Sequence, residues 1–237
     1  MGKEHGMRGI ILKNHQEPTA SLAYVVRKEV PGIAVFGGIT LNLAAGGINP
    51  AAVESMAAVA GGWGRFVWMG SLDTERQVRY SGDKRMFVSV SAKGELLPET
   101  RAVVSMVAKH NLVLATGHSS PEECLMLLRE AKRQGVCHMV VTQAMIAPIH
   151  MFYELMQEAA NCGAYIEFVY NGLIGPHKEF EFQDYAKAIQ QVGADHCVQR
   201  AIWDRCKSGS SRRPRKILCW TKGGRLERSG SRPYVKK

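Results

Sequence analysis

The sequence predicts an α/β fold: an incomplete TIM-type (β/α) barrel with parallel strands. Three observations carry this expectation. Short apolar runs alternate with helical patterns along most of the 237 residues, as in strand–helix units around a parallel sheet. The connections are short, so successive units lie side by side. Nearly every apolar run ends in a residue type that binds ligands, and a barrel gathers such strand ends on one face. The alternative is an open doubly wound sheet. No GxGxxG follows a strand to open a helix, so a dinucleotide site has no support.

The elements follow in order. Gly9 to His15, GIILKNH, is a strand ending in polar residues. Pro18 and Thr19 open the helical SLAYVVRKEV, closed by Pro31 and Gly32. Ile33 to Asn42 is a second strand whose glycines imply close backbone approach. Pro50 to Ala60 is an alanine-rich helix, and Arg65 to Asp73 a third strand. Tyr80 to Lys93 is irregular, with MFVSVSAKGEL a short hairpin or an excursion over the binding face. Pro98 to His110 is a helix with an apolar stripe through Val103, Val104 and Val107. Leu112 to Thr116 is the fourth strand and delivers Gly117, His118, Ser119 and Ser120. Ser120 is a good helix N-cap, with Pro121 behind it and Glu122 and Glu123 in the first turn. That helix stops at Gly135. His138 to Thr142 is a strand, Pro148 to Cys162 a helix, Ala164 to Asn171 a strand and Tyr185 to Val192 a helix. Asp195 to Val198 begins a seventh strand.

Composition narrows the function classes. The chain is 46% hydrophobic and 22% charged, ordinary for a globular domain. No apolar run reaches the roughly 20 residues of a membrane helix, and no signal segment is visible, so a cytoplasmic location is expected. The six cysteines form no close CxxC pair and read as small reduced core side chains. The net charge is uneven. The segment from Arg200 holds 13 Lys or Arg against Asp204 and Glu227, a balance of +11, whereas residues 1–199 sum to −1. The expected division is therefore a partial barrel over 1–199 and a basic tail over 200–237. The tail reads as a frameshifted segment, a disordered solvated tail or a basic arm for nucleic acid. Ala201 to Arg205, shifted by two bases under one choice of codons, encodes Asp-Leu-Gly-Gln. Nucleic acid is expected, if at all, only through this tail.

The strand ends supply Lys13, Asn14 and His15; Asn42; Ser71 and Asp73; His118; Gln143; and Glu167 and Asn171. Converged on one mouth, imidazoles and carboxylates suit a divalent ion, Zn²⁺ or Mn²⁺, which activates water for hydrolysis. His15 and His118 are the candidate metal ligands. Glu167 is a candidate ligand or a partner that orients a histidine, and Lys13 a candidate for binding an anionic group or bridging metals if carbamylated. Against these stand bland readings: Lys13 as a strand-end cation and Glu167 as a partner of Lys13 or of an arginine across the mouth. His110, His150 and His177 read as surface, and His138 sits on the stability face. Trp63 reads as packing and Trp68 as packing or lining.

The runs GMRGIILKNHQEPTA, VFGGITLNLAAGGINPAAVE, VWMGSLD, LATGHSSPEE and GAYIEFVYN resemble a family of amidohydrolase-like, metal-dependent hydrolases, the domain of unknown function 6282. The resemblance spans about Gly6 to Cys197. It implies a TIM-type barrel with a metal centre at the strand C-termini, a small-molecule substrate, and hydrolysis of a C–N, ester or lactone bond. A homo-oligomer is compatible with it. Three departures stand out. Such hydrolases begin with a strand carrying HxH, and this chain starts in what reads as the following helix. Gln143 stands where many relatives place a histidine. HCVQRAIWDR replaces a late strand ending in aspartate.

Overall fold

The structure is a computed structural model that describes residues 7–200. The sequence expectations for Ala201 onward lie outside the described residues. Seven strands form one sheet: β1 (Gly9–Ile11), β2 (Ala34–Thr40), β3 (Gly64–Trp68), β6 (Val113–Ala115), β7 (His138–Val141), β8 (Tyr165–Val169) and β9 (Cys197–Arg200). A two-stranded antiparallel hairpin, β4 (Ser91–Ala92) and β5 (Glu95–Leu96), sits between β3 and β6 in the chain. Every pairing in the main sheet is parallel, and the strands lie in chain order, β1-β2-β3-β6-β7-β8-β9. A doubly wound sheet reverses its strand order at a switch point. This sheet has no reversal, so it is a barrel sheet, and among the described residues β1 and β9 do not meet to close it.

Helices α1 (Ala20–Glu29), α2 (Pro50–Ala57), α3 (Glu75–Tyr80), α4 (Pro98–Lys109), α5 (Pro121–Arg133), α6 (Tyr153–Asn161) and α7 (Phe182–Val192) complete the units. Strand residues Ile39, Val67, Leu114, Val141, Ile166 and Phe168 are buried, as are Leu41 just past β2 and Val53, Val103, Val107, Leu127, Leu128 and Met156 from the helices. Their burial is the main favourable term holding helices to sheet. The expected stripe on α4 is the buried face of that helix. The α5 cap is also as read: Ser120 Oγ accepts from Glu123 N at 3.2 Å, and Glu123 Oε2 accepts from Ser120 N at 2.9 Å. That reciprocal pair is a capping box.

The glycines of β2 permit close approach. A Cβ at Gly38 would lie 2.2 Å from Phe66 O, and one at Gly37 would lie 2.4 Å from Thr19 O. Gly117, just past β6, has φ +64°, and a Cβ there would sit 2.1 Å from Gly70 O. Only glycine fits both that backbone and that gap.

Several boundaries differ from the sequence reading, each for a local reason. The first strand ends at Ile11 rather than His15. Its polar end makes turn bonds instead of a ladder: Gln16 N donates to Asn14 Oδ1 at 2.9 Å, and Thr40 Oγ1 donates to Asn14 O at 2.8 Å. The helix expected from Pro148 starts at Tyr153. The backbone before it leaves the helical region, with φ +48° at His150, and Met151 N closes a loop onto Ala144 O at 2.9 Å. The short helix α3 was not anticipated. Arg200 pairs with Val169 as the last residue of β9, so the strand runs through the residue where the composition changes. Of the cysteines, Cys124 is buried as expected, Cys162 and Cys197 are partly buried, and Cys137 is exposed.

Candidate functional site

The C-terminal ends of the strands carry a polar basin. Its floor is built around Asn42, which follows β2 and is buried. Asn42 Oδ1 accepts from Ser71 N at 2.8 Å and Asp73 N at 3.4 Å, which fixes the amide orientation. Asn42 Nδ2 then donates to His15 O at 3.0 Å and Ser71 Oγ at 3.3 Å. One side chain thus ties the ends of β1, β2 and β3 together. Asp73 takes a scaffold role, accepting from Leu43 N at 3.0 Å and pairing with Arg85.

His15 belongs to the same network. His15 Nδ1 lies 2.8 Å from Ser71 Oγ. Ser71 Oγ also accepts from Asn42 Nδ2, so His15, Ser71 and Asn42 form one hydrogen-bonded chain.

His118 follows β6 and is buried. Its Nδ1 lies 2.8 Å from Gln77 Oε1, an acceptor, so Nδ1 carries the hydrogen. Gln143 acts on the same ring from the end of β7. Burial pushes the imidazole pKa down to about 3, helped by the charge of Lys13 and by His15 and Arg200. His118 is therefore neutral at pH 7, with Gln77 and Gln143 beside it. Gln77 comes from α3 and was not foreseen. The sequence did signal it: Thr74 to Gln77 is a Ser/Thr-x-x-Glu/Gln start, and Thr74 Oγ1 accepts from Gln77 N at 3.2 Å.

Gln143 connects two parts of the site. It lies past β7 with φ +50°, a conformation that costs a non-glycine residue free energy and persists only when its surroundings enforce it. Its N–H donates to Glu167 Oε2 at 3.1 Å. Glu167, buried in β8, places Oε1 2.9 Å from Arg200 Nε, an ion-pair distance whose angle falls short of a hydrogen bond. Burial raises the Glu167 pKa, while Arg200, the Gln143 N–H and Lys13 pull it down. The arginine-partner reading of Glu167 thus describes its contacts, with the arginine supplied by the segment assigned to the tail.

Lys13 is partly buried, with Nζ 5.5 Å from the centre of the Trp68 ring. Burial and the neighbouring Arg200 lower its pKa to about 8, partly offset by Glu167. Trp68 is therefore a lining residue as well as core. Trp63 lies under Arg27, 3.4 Å from ring centre to guanidinium. His118 feels the charges of Lys13, His15 and Arg200, and Lys13 and Glu167 feel each other and Arg200, which links the five groups in one basin. Of the other histidines, His150 is exposed and lies 2.7 Å from Glu179, and His110 Nε2 is 3.7 Å from Glu54.

The donor set does not complete a metal site. Among the described residues no group of three or more His, Cys, Asp or Glu side chains is placed to hold an ion, whereas a zinc site takes three protein ligands or more. His15 Nδ1 is tied to Ser71, His118 Nδ1 to Gln77, and both Glu167 oxygens are engaged. Two cations stand beside them.

The parallel sheet in chain order, with helices between its strands, defines an incomplete (β/α) barrel. The chain belongs to a family of unknown function, DUF6282, whose model matches residues 1–167. Among solved structures it resembles an amidohydrolase from Pseudomonas aeruginosa, at 12% identity and a TM-score of 0.54, over 88% of this chain and 60% of that one. A 2,6-dihydroxybenzoate decarboxylase from Rhizobium matches at 12% identity and a TM-score of 0.48, over 85% of this chain and 75% of that one. A metallopeptidase from Rhodobacter sphaeroides matches at 9% identity and a TM-score of 0.48, over 84% of this chain and 56% of that one. The first likeness shows the fold alone, and the other two carry no argument. No curated protein matches the sequence.

Proposed function

We propose that the basin at the strand C-termini is a small-molecule site, and that the protein is an amidohydrolase-type enzyme hydrolysing a C–N, ester or lactone bond there. One observation carries the reading: Lys13 and His15 after β1, His118 after β6 and Glu167 in β8, from three separate segments, lie toward the face where barrels place their sites. In this reading Asn42 fixes the floor, Gln77 and Gln143 orient a neutral His118, and Lys13 holds the substrate. Metal ions activate water in the reaction the resemblance implies, but the described residues do not complete a site for one. No step is therefore assigned to a metal. A second reading, a binding barrel without catalysis, is favoured by the engagement of both Glu167 oxygens.

The test is an assay of the full chain against amides, esters and lactones, with and without added Zn²⁺ or Mn²⁺, alongside elemental analysis of the purified protein. Turnover that is lost in His118→Asn and Lys13→Met supports hydrolysis. No turnover under any metal condition leaves the binding barrel.

A further inference from the structure

We propose that the ligand of this basin is an organic carboxylate, seated between Lys13 and Arg200. The inference deepens the small-molecule reading and rests on it. Lys13 and Arg200 are two cations in one basin, and Glu167 is the only carboxylate among the groups that act on Lys13. Both oxygens of that carboxylate are already engaged, one by Arg200 and one by the Gln143 N–H. The positive charge therefore exceeds the negative by one, and protonating Glu167 only widens the excess.

The second observation is at Arg200 itself. Its Nε faces Glu167 Oε1 at 2.9 Å, but its Nη2 is buried and lacks a hydrogen-bond partner among the described residues. Buried guanidinium N–H groups are costly without acceptors. A ligand carboxylate supplies the acceptor that Nη2 lacks, while Lys13 adds a point charge. The buried His118 imidazole is neutral and does not compete with the two cations for an anion. The charge of the basin thus selects an anion, whereas a divalent cation meets Lys13 and Arg200 as like charges.

Two substitutions separate this from a generic pocket. Lys13→Met removes a cation and should weaken carboxylate binding about tenfold or more. Glu167→Gln removes the internal competitor for Arg200 and should tighten it. The experiment is calorimetric titration of the full chain and both variants with acetate, succinate, inorganic phosphate and acetamide, at low and high salt. Saturable binding of the carboxylates but not acetamide, weakened by salt and shifted in opposite directions by the two variants, is the expected result. Stronger binding of phosphate than of either carboxylate overturns the choice of ligand class. No saturable anion binding, or tight Zn²⁺ binding that anions do not affect, overturns the proposal outright. Carboxylate binding without hydrolysis upholds it while hydrolysis fails. Turnover of neutral esters as fast as anionic ones leaves hydrolysis standing and overturns the carboxylate.

Discussion

At the scale of single residues, the site is a balance of charges that burial makes expensive. Lys13 shows the sign clearly. Its pKa falls from 10.5 to about 8 in the folded chain. Between those values the unfolded chain binds more protons, so stability rises with pH across that window. Below it, the folded state bears a charged, partly desolvated amine. Lys13→Met should therefore be more stable than the parent at pH 7, by on the order of 2 kcal/mol after solvent screening. The gap should close from about pH 8 to 10.5. Urea unfolding of both proteins at pH 7 and pH 10 checks this, and a gap independent of pH refutes it. Arg200 is the residue the sequence hid best. It opens a run of arginine, serine and glycine, and nothing in that composition reveals that the first member pairs in a strand.

At the scale of elements, the unit following β6 is the most legible part of the chain. Its strand, cap and helix were all readable, because capping and turn chemistry are local rules. Ser120→Ala should cost about 1 kcal/mol by removing the acceptor of Glu123 N, lowering Tm by a few degrees in a thermal melt. Gly117→Ala is a harsher change. It forces a Cβ to 2.1 Å from Gly70 O in a left-handed backbone, and should cost at least about 3 kcal/mol in denaturant unfolding. If the two substitutions prove equally mild, the close contact between the ends of β3 and β6 is misassigned. Other elements were less legible for equally local reasons. Pro148 looked like a helix start, but helix starts and loops share proline, and only the backbone at His150 decides between them. Gln77 was missed because α3 has six residues, too short for a clear helical period. The contacts that give His118 its character are non-local, linking α3 and the end of β7 to the end of β6. No window of sequence contains them.

At the scale of the whole molecule, fold class was legible and closure was not. Alternating apolar and helical patterns specify strands and helices, whereas the meeting of the first strand with the last depends on chain far apart in sequence. No helix among the described residues is long and apolar enough to cross a membrane. The charge division makes a whole-molecule prediction: residues 1–199 carry −1 and the rest +11. Any affinity of the full chain for duplex DNA should fall steeply with salt and vanish in a chain ending at Arg200. Fluorescence anisotropy at low and moderate salt checks it, and binding retained by the shortened chain refutes it. The strand order has a consequence for biosynthesis. Each parallel strand docks beside the one made just before it, apart from the hairpin excursion. A nascent polypeptide leaving the ribosome therefore finds its next docking edge already assembled, and the sheet can be laid down in the direction of translation, one β/α unit at a time.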